Sequence, residues 1–213
     1  MISTKRLIQL DVDSTFIQQE AIELLAAKAG VLHEVARVTE SAMRGELDFA
    51  ESLRARVALL KGLPESVIEQ VQSEIRLTDG AEELVQLMHS KGHCVALVSG
   101  GFSDILLPLV TSLEIKHYRA NKLGIDNGVL TGVVEGPIID RAAKATALKD
   151  FAAECNISLK DTVAIGDGAN DLDMMAIAGV SIAFNAKPIV VKAADYSITE
   201  PSLRSVPTLI GEM

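Results

Sequence analysis

Two rhythms of apolar and polar positions alternate along this chain. Short apolar runs of strand length occur at Leu7-Ile8-Gln9-Leu10, His93 to Val98, Thr162 to Ile165, Val180 to Phe184 and Tyr196 to Ile198. Between them lie segments whose apolar residues recur every three to four positions, the spacing of an amphipathic helix. Strand-length apolar runs separated by helical stretches predict a parallel sheet covered on both faces. The expected class is therefore α/β, a Rossmann-like parallel sheet with helices on both faces.

From Ile17 to Ile75 the rhythm is helical throughout, broken at Gly30, Gly45 and Gly62-Leu63-Pro64. Four helices fit, at about 17–29, 33–44, 48–60 and 64–75, the third opening on the capping-box-like Asp48-Phe49-Ala50-Glu51. The division expected is an α/β core from residues 1–16 and 76–213, with a small helical cap of residues 17–75 inserted after the first strand. Asp79 to Gly92 predicts a helix, and the strand after it is expected to end at Ser99 and run through Gly100-Gly101 into another helix. Glycines there let backbone N–H groups approach an anion, and a helix N-terminus adds partial positive charge. Pro108 should bend or shorten that helix. Asp126-Asn127-Gly128 predicts the turn of a hairpin over 119–135, and Arg141 to Glu154 a further helix.

Composition narrows the picture. Hydrophobic residues make up 48% of 213, aromatics only 3%, and Trp is absent, so Ala, Leu, Ile and Val must build the core. A formal charge of −9 without a basic patch argues against nucleic acid and anionic membrane surfaces as partners. No apolar run reaches membrane-spanning length. Cys94 and Cys155 lack any metal-like local spacing and are expected to be buried free thiols, which points to a reducing, cytoplasmic setting. Met1 to Lys5 leaves no room for a regulatory domain ahead of the first strand, so regulation through one is not expected.

The candidate chemistry sits where strands end. Asp11 and Asp13, one residue apart at the close of the first strand, repel each other unless a cation or a proton lies between them. A lone pair of this kind also suits a helix cap made by Asp13 or Ser14. Three later segments change the balance: Ser99-Gly100-Gly101, Lys144, and Gly166-Asp167-Gly168-Ala169-Asn170-Asp171. Lys144 lies in the first turn of its helix, against the helix dipole, where a solvent-facing lysine would need no function.

In order and spacing these segments resemble the haloacid dehalogenase (HAD) superfamily of aspartate-nucleophile phosphatases. Asp11-Val12-Asp13-Ser14-Thr15, Met43 to Phe49 and Ser99 to Phe102 are similar in particular to the phosphoserine phosphatase family, over about residues 7–195. The resemblance implies that Asp11 is the nucleophile and Asp13 the acid and base. It implies that Mg²⁺ is held by Asp11, Asp167 and the backbone carbonyl of Asp13, with Asp171 supporting it from behind or through water. Lys144 would neutralise the phosphate; Asn170, Ser99 and the Gly100 N–H would donate hydrogen bonds to it or to the attacking water. Two departures, Val12 where an aromatic is common and Arg119 where an apolar residue is common, fall outside these positions.

Substrate identity should be written in the cap. On the helix over 48–60, Phe49, Leu53, Arg56 and Leu60 share one face, which puts a guanidinium inside an apolar stripe while Arg54 points away. By resemblance Arg56 would bind a substrate carboxylate and Glu20 its ammonium, with Met43 and Phe49 as apolar lid residues. The implied activity is hydrolysis of O-phosphoserine by a monomer or homodimer acting on a small phosphorylated amino acid, as in the last step of serine biosynthesis. A phosphotransferase to an alcohol such as homoserine, a broader phosphomonoesterase and a non-catalytic phosphoamino-acid sensor are the alternatives. His33, His89, His93 and His117 match no motif and receive no chemistry.

Overall fold

The computed structural model describes residues 4–43 and 46–212, the side chains of Ala42 and Met43 excepted. In chain order the regular elements are β1 (Leu7–Asp11), α1 (Ala21–Ala29), α2 (Leu32–Met43), α3 (Phe49–Ala58), α4 (Val67–Glu74), α5 (Ala81–Ser90), β2 (Cys94–Phe102), α6 (Ser103–Ser112), β3 (His117–Asp126) and β4 (Val129–Glu135). They continue with α7 (Arg141–Glu154), β5 (Thr162–Gly166), α8 (Leu172–Ile177), β6 (Val180–Phe184), α9 (Pro188–Ala193), β7 (Tyr196–Ile198) and α10 (Val206–Leu209). The strands form one sheet in the order β4-β3-β2-β1-β5-β6-β7. All neighbours are parallel except β3 and β4, the expected hairpin, which adds an antiparallel edge to the main sheet.

Side-chain alternation divides the core. On one face Ile8, Leu10, Val95, Leu97, Val163, Ile165, Ile182 and Phe184 pack against α1, α5 and α6. On the other, Leu7, Ala96, Val98, Ala164 and Ala183 meet α7, α8 and α9. Central β1 is buried on both sides at all five residues, polar Gln9 and Asp11 included. Because the pleat has period two, Leu7, Gln9 and Asp11 share the α7 face. Gln9 there donates from Nε2 to the Lys144 carbonyl at 3.2 Å, and Asp11 is aimed at the same helix.

One sequence expectation shifts. The strand β2 continues past Ser99 to Phe102, because Gly100 and Gly101 stay extended and the pairing with β3 changes register there. Asn121 stabilises this irregular edge, donating to the Gly100 carbonyl at 2.8 Å and accepting from Ile139 N at 2.8 Å. Pro108 lies inside α6, which runs on to Ser112. The Asp104 carbonyl, which its missing N–H leaves without the usual helical donor, accepts instead from Gln72 Nε2 of α4 at 2.8 Å.

The four helices between β1 and α5 are attached by two adjacent connections. Ile17 bridges Leu77, and Gln18 N and Thr78 N bond across the same gap to Arg76 O and Phe16 O. A second seam joins residues 62–65 to the hairpin through Gly62 N to Leu130 O, Leu130 N to Leu63 O and Glu65 N to Gly128 O.

Candidate active site

At the carboxyl ends of β1, β2 and β5 lies a cavity of about 660 Å³ whose walls include Asp11, Asp13, Glu20, Arg56, Asp167 and Asn170. Local structure explains how each arrives there. The strand β1 stops at Asp11, and Val12–Phe16 forms a tight turn in which Ser14 takes a left-handed conformation (φ 57°). Asp13 is thus carried by a turn and not by the strand, yet it still faces Asp11's cavity.

Both Asp13 oxygens are engaged. Oδ1 accepts from Ala21 N, the first residue of α1, at 2.7 Å, and Oδ2 accepts from Ser99 Oγ at 2.8 Å. The capping reading of Asp13 therefore holds alongside its place in the cavity. Ser99 differs from expectation: it is fully buried and its hydroxyl serves Asp13 and the Gly101 N–H (2.7 Å). A phosphate contact from Ser99 requires that hydroxyl to exchange partners. Gly101 is obligatory here, since a Cβ would lie 2.6 Å from Asp13 Oδ2.

Lys144 is also unlike a surface lysine. With Asp140 capping α7 through Ala143 N (2.8 Å), the first turn points inward, and the fully buried ammonium bridges Asp11 Oδ1 (2.6 Å) and Asp171 Oδ1 (2.7 Å). Asp171 Oδ2 in turn accepts from the N–H groups of Asp167 and Gly168, both at 3.1 Å. With its oxygens so occupied, Asp171 orients the loop and the lysine. Gly166 leaves the room for its carboxylate, which a Cβ at 166 would strike.

Carboxylates of Asp11, Asp167 and Asp171 lie within 4.8 Å of one another. Burial, then the charge of Asp171, raises the Asp11 pKa well above the usual carboxylate range, with Lys144 opposing. Burial and Asp171 likewise push Asp167 up to about 6. Burial acts to lower Lys144, but the charges and hydrogen bonds of Asp11 and Asp171 outweigh it and hold the ammonium charged. One lysine facing three carboxylates leaves excess negative charge at hard oxygen donors, the condition that a divalent cation relieves. The residues fit such an ion, with Asp11 and Asp167 the carboxylates that still have oxygens to offer.

Glu20 lines the cavity just ahead of α1 and accepts from Ser14 Oγ at 2.6 Å. Burial and the neighbouring Asp13 raise its pKa to about 7. The helix α3 carries Arg56 and Phe49 in, started by a complete capping box between Asp48 and Glu51 (2.7 and 3.0 Å). As expected, Leu53 and Leu60 are buried and Arg54 is exposed. Phe49 lies over Gly100, where a Cβ would come within 2.9 Å of the Phe49 ring edge. Met43 ends α2, and its side chain lies outside the described residues.

Sequence reasoning missed four contributors. Thr15, quoted within the Asp-x-Asp motif but given no task, points Oγ1 at Asp167 Oδ1 (3.4 Å). Arg141, paired with Asp173 at 2.5 Å, and Lys187 bring further cations to the wall, and Asn121 holds the Gly100 carbonyl. Their signal is tertiary, because nothing local distinguishes an exposed helix-start arginine or a loop lysine from a solvated charge.

Residues 8–176 match the family model of the haloacid dehalogenase-like hydrolases. A phosphoserine phosphatase of Streptococcus thermophilus is 50% identical over 213 residues, covering 100% of this chain and 99% of its own. Phosphoserine phosphatase SerB2 of Mycobacterium tuberculosis is 51% identical over 208 residues, and the one of Streptomyces coelicolor 53% over 207. This chain spans about half the length of those two, 51% and 50%. Among solved structures, a phospho-aspartyl intermediate analogue and a substrate-bound complex of phosphoserine phosphatase each superpose with TM-score 0.91 at 42% identity, covering 97% of this chain and 99% of the other. The chain belongs to the haloacid dehalogenase-like hydrolase family, among the phosphoserine phosphatases.

Proposed function

We propose that the protein hydrolyses O-phosphoserine to serine and phosphate through a phosphoaspartate at Asp11. The observation that carries this reading is one cavity holding a reactive-carboxylate end and an amino-acid end: Asp11, Asp13 and Asp167 at the first, Glu20 and Arg56 at the second. The likeness to a substrate-bound phosphoserine phosphatase supports it.

In this reading Asp11 Oδ2, which carries no hydrogen bond among the described residues, attacks phosphorus while Lys144 holds Oδ1. The serine oxygen leaves with a proton from Asp13, whose carboxylate is fixed by Ser99 and Ala21 N and then removes a proton from the water that hydrolyses the acyl phosphate. Asp11 and Asp167, with the Asp13 carbonyl, would hold Mg²⁺, and Asp171 would steady the set from behind. When bound, that ion neutralises phosphoryl oxygens and aligns the phosphate with Asp11. Arg56 takes the substrate carboxylate and Glu20 its ammonium; Asn170 and the Gly100 N–H donate to phosphate.

Residues 17–75 act as a cap. The paired connections at Ile17 and Leu77 form its neck, and Phe49 over Gly100 its closing contact. The protein works as a monomer or homodimer in the cytoplasm, where its two thiols stay reduced. The deciding experiment is a panel of phosphomonoesters assayed with Mg²⁺, with and without alcohol acceptors. Phosphoserine should be the preferred substrate, releasing free phosphate. Equal rates across the panel, or phosphate appearing on the alcohol, would overturn the assignment.

A further inference from the structure

We propose that Cys94, His117 and Cys155 form a binding site for a soft or borderline transition-metal ion, of which Zn²⁺ is the representative, at the end of the sheet opposite the cavity. Cys94 opens β2 and His117 opens β3, so both sit at the amino ends of neighbouring parallel strands, whereas Asp11 and Asp167 sit at carboxyl ends. Cys155 follows α7, the helix whose first turn carries Lys144. Cys155 comes eleven helical steps after Lys144, roughly 16 Å along the axis. This site is therefore distinct from the acidic one.

Two thiol sulfurs and one imidazole nitrogen, all within 4.8 Å of one another, match the donor set that thiophilic ions select. A tetrahedral ion would space two such sulfurs about 3.8 Å apart and a sulfur and a nitrogen about 3.5 Å. Cys155 Sγ and His117 Nε2 are already 3.3 Å apart. On the far side of the ring, Glu154 Oε2 lies 3.0 Å from Nδ1. That contact places the ring proton on Nδ1 and the lone pair of Nε2 toward the sulfurs, the arrangement in which metal-binding histidines are held by a carboxylate behind them. Phe151 packs against the same ring at 5.5 Å between centroids, fixing its plane. Lys5 reaches the Cys155 carbonyl at 3.3 Å, bringing a positive charge beside two sulfurs that become anionic on binding.

Binding is balanced without redox change. Each thiol loses its proton to solvent as sulfur bonds the ion, Nε2 donates its lone pair, and a water fills the fourth position. The His117 edge is 23% exposed and Cys94 half-buried, which gives an ion a way in.

The test uses the reduced full chain, freed of metal and titrated with Co²⁺. A near-ultraviolet thiolate-to-cobalt charge-transfer band should appear at one equivalent and vanish when Zn²⁺ displaces the cobalt. The band should be lost in Cys94→Ser and persist in Asp167→Asn, whose change lies in the acidic cluster. Because Cys155 is buried and its replacement could unfold the chain, Glu154→Gln is the gentler variant, and it should weaken Zn²⁺ by about 10- to 100-fold. Absence of the band in the wild type, or an unchanged band in both Cys94→Ser and His117→Ala, would overturn the proposal. So would a reduced protein that binds neither ion and only closes a Cys94–Cys155 disulfide on oxidation.

Discussion

Glu20 and Arg56 line the same cavity and form no ion pair with each other. The carboxylate is taken by Ser14, and among the described residues the guanidinium donates through Nε to the Ser52 carbonyl at 3.3 Å. Two opposite charges kept apart in a half-buried space suit a zwitterion that satisfies both. Arg56→Ala should then lower kcat/KM for phosphoserine about 10- to 100-fold, the cost of a charged hydrogen bond of about 1.5–3 kcal/mol. Hydrolysis of p-nitrophenyl phosphate, which lacks the carboxylate, should change little, and exposed Arg54→Ala should affect neither substrate. Equal losses on both substrates would assign Arg56 to holding the cap.

The pH dependence follows from Glu20. Its pKa is raised from the ordinary carboxylate range to about 7, first by burial and then by Asp13. Below pH 7 the free enzyme therefore holds it protonated, unable to pair with an ammonium, so kcat/KM for phosphoserine should climb as pH rises through 7. In Glu20→Gln that limb should disappear. Stability runs the other way: the unfolded chain releases this proton at lower pH than the folded one, so folding is progressively disfavoured between about pH 4.5 and 7. Thermal melts should show Glu20→Gln stabilised relative to wild type at pH 8 and not at pH 4.

Asp11→Asn should reduce turnover by about four orders of magnitude or more while the fold survives, since Lys144 keeps its bond to Asp171. Steady-state assay and circular dichroism test the two halves of that statement. Beryllium fluoride with Mg²⁺ should protect wild type against thermal unfolding and leave the variant unaffected.

Removing the cation instead of the nucleophile should be structurally worse. Lys144→Met leaves Asp11 and Asp171 buried without their shared partner, a loss on the order of 3–5 kcal/mol by urea denaturation in metal-free buffer. A variant as stable as wild type would mean that the two aspartates simply take up protons.

Gly100→Ala should crowd the Phe49 ring, raising KM by obstructing the closed cap. Phe49→Leu should partly relieve that defect in the double variant. Independent, additive effects would show that the two residues do not meet during turnover.

Much of this site was legible because its residues stand in local patterns. Asp11 and Asp167 end apolar runs, the glycines bracket Asp167, and Arg56 breaks an apolar helix stripe. What stayed hidden is what only packing creates. Nothing near Lys144 in the chain shows that α7 turns it inward, and nothing near Ser99 shows that Asp13 takes its hydroxyl. The run of β2 to Phe102 depends on Asn121, which reaches it from the neighbouring strand. Likewise α6 survives Pro108 through a side chain of α4 that periodicity cannot place. Cys94, His117 and Cys155 lie on three elements and meet only once the sheet is assembled.

The unequal faces of the sheet bear on how freely this sequence can drift. Where β1, β2, β5 and β6 meet α5 and α6, the strand side chains are mostly branched and large, and a swapped methyl group can be absorbed by neighbours with rotamers to spare. Toward α7 the spacers are Ala96, Ala164 and Ala183, answered on the helix by Ala145, Ala147 and Ala152. These methyl groups set the distance from helix to sheet, and hence the reach of Lys144 to Asp11. A Val at one of them would lift the helix and draw Lys144 away from Asp11 without touching a single polar atom. Tolerance to substitution should therefore split along the plane of the sheet, permissive on one side and nearly mute on the other.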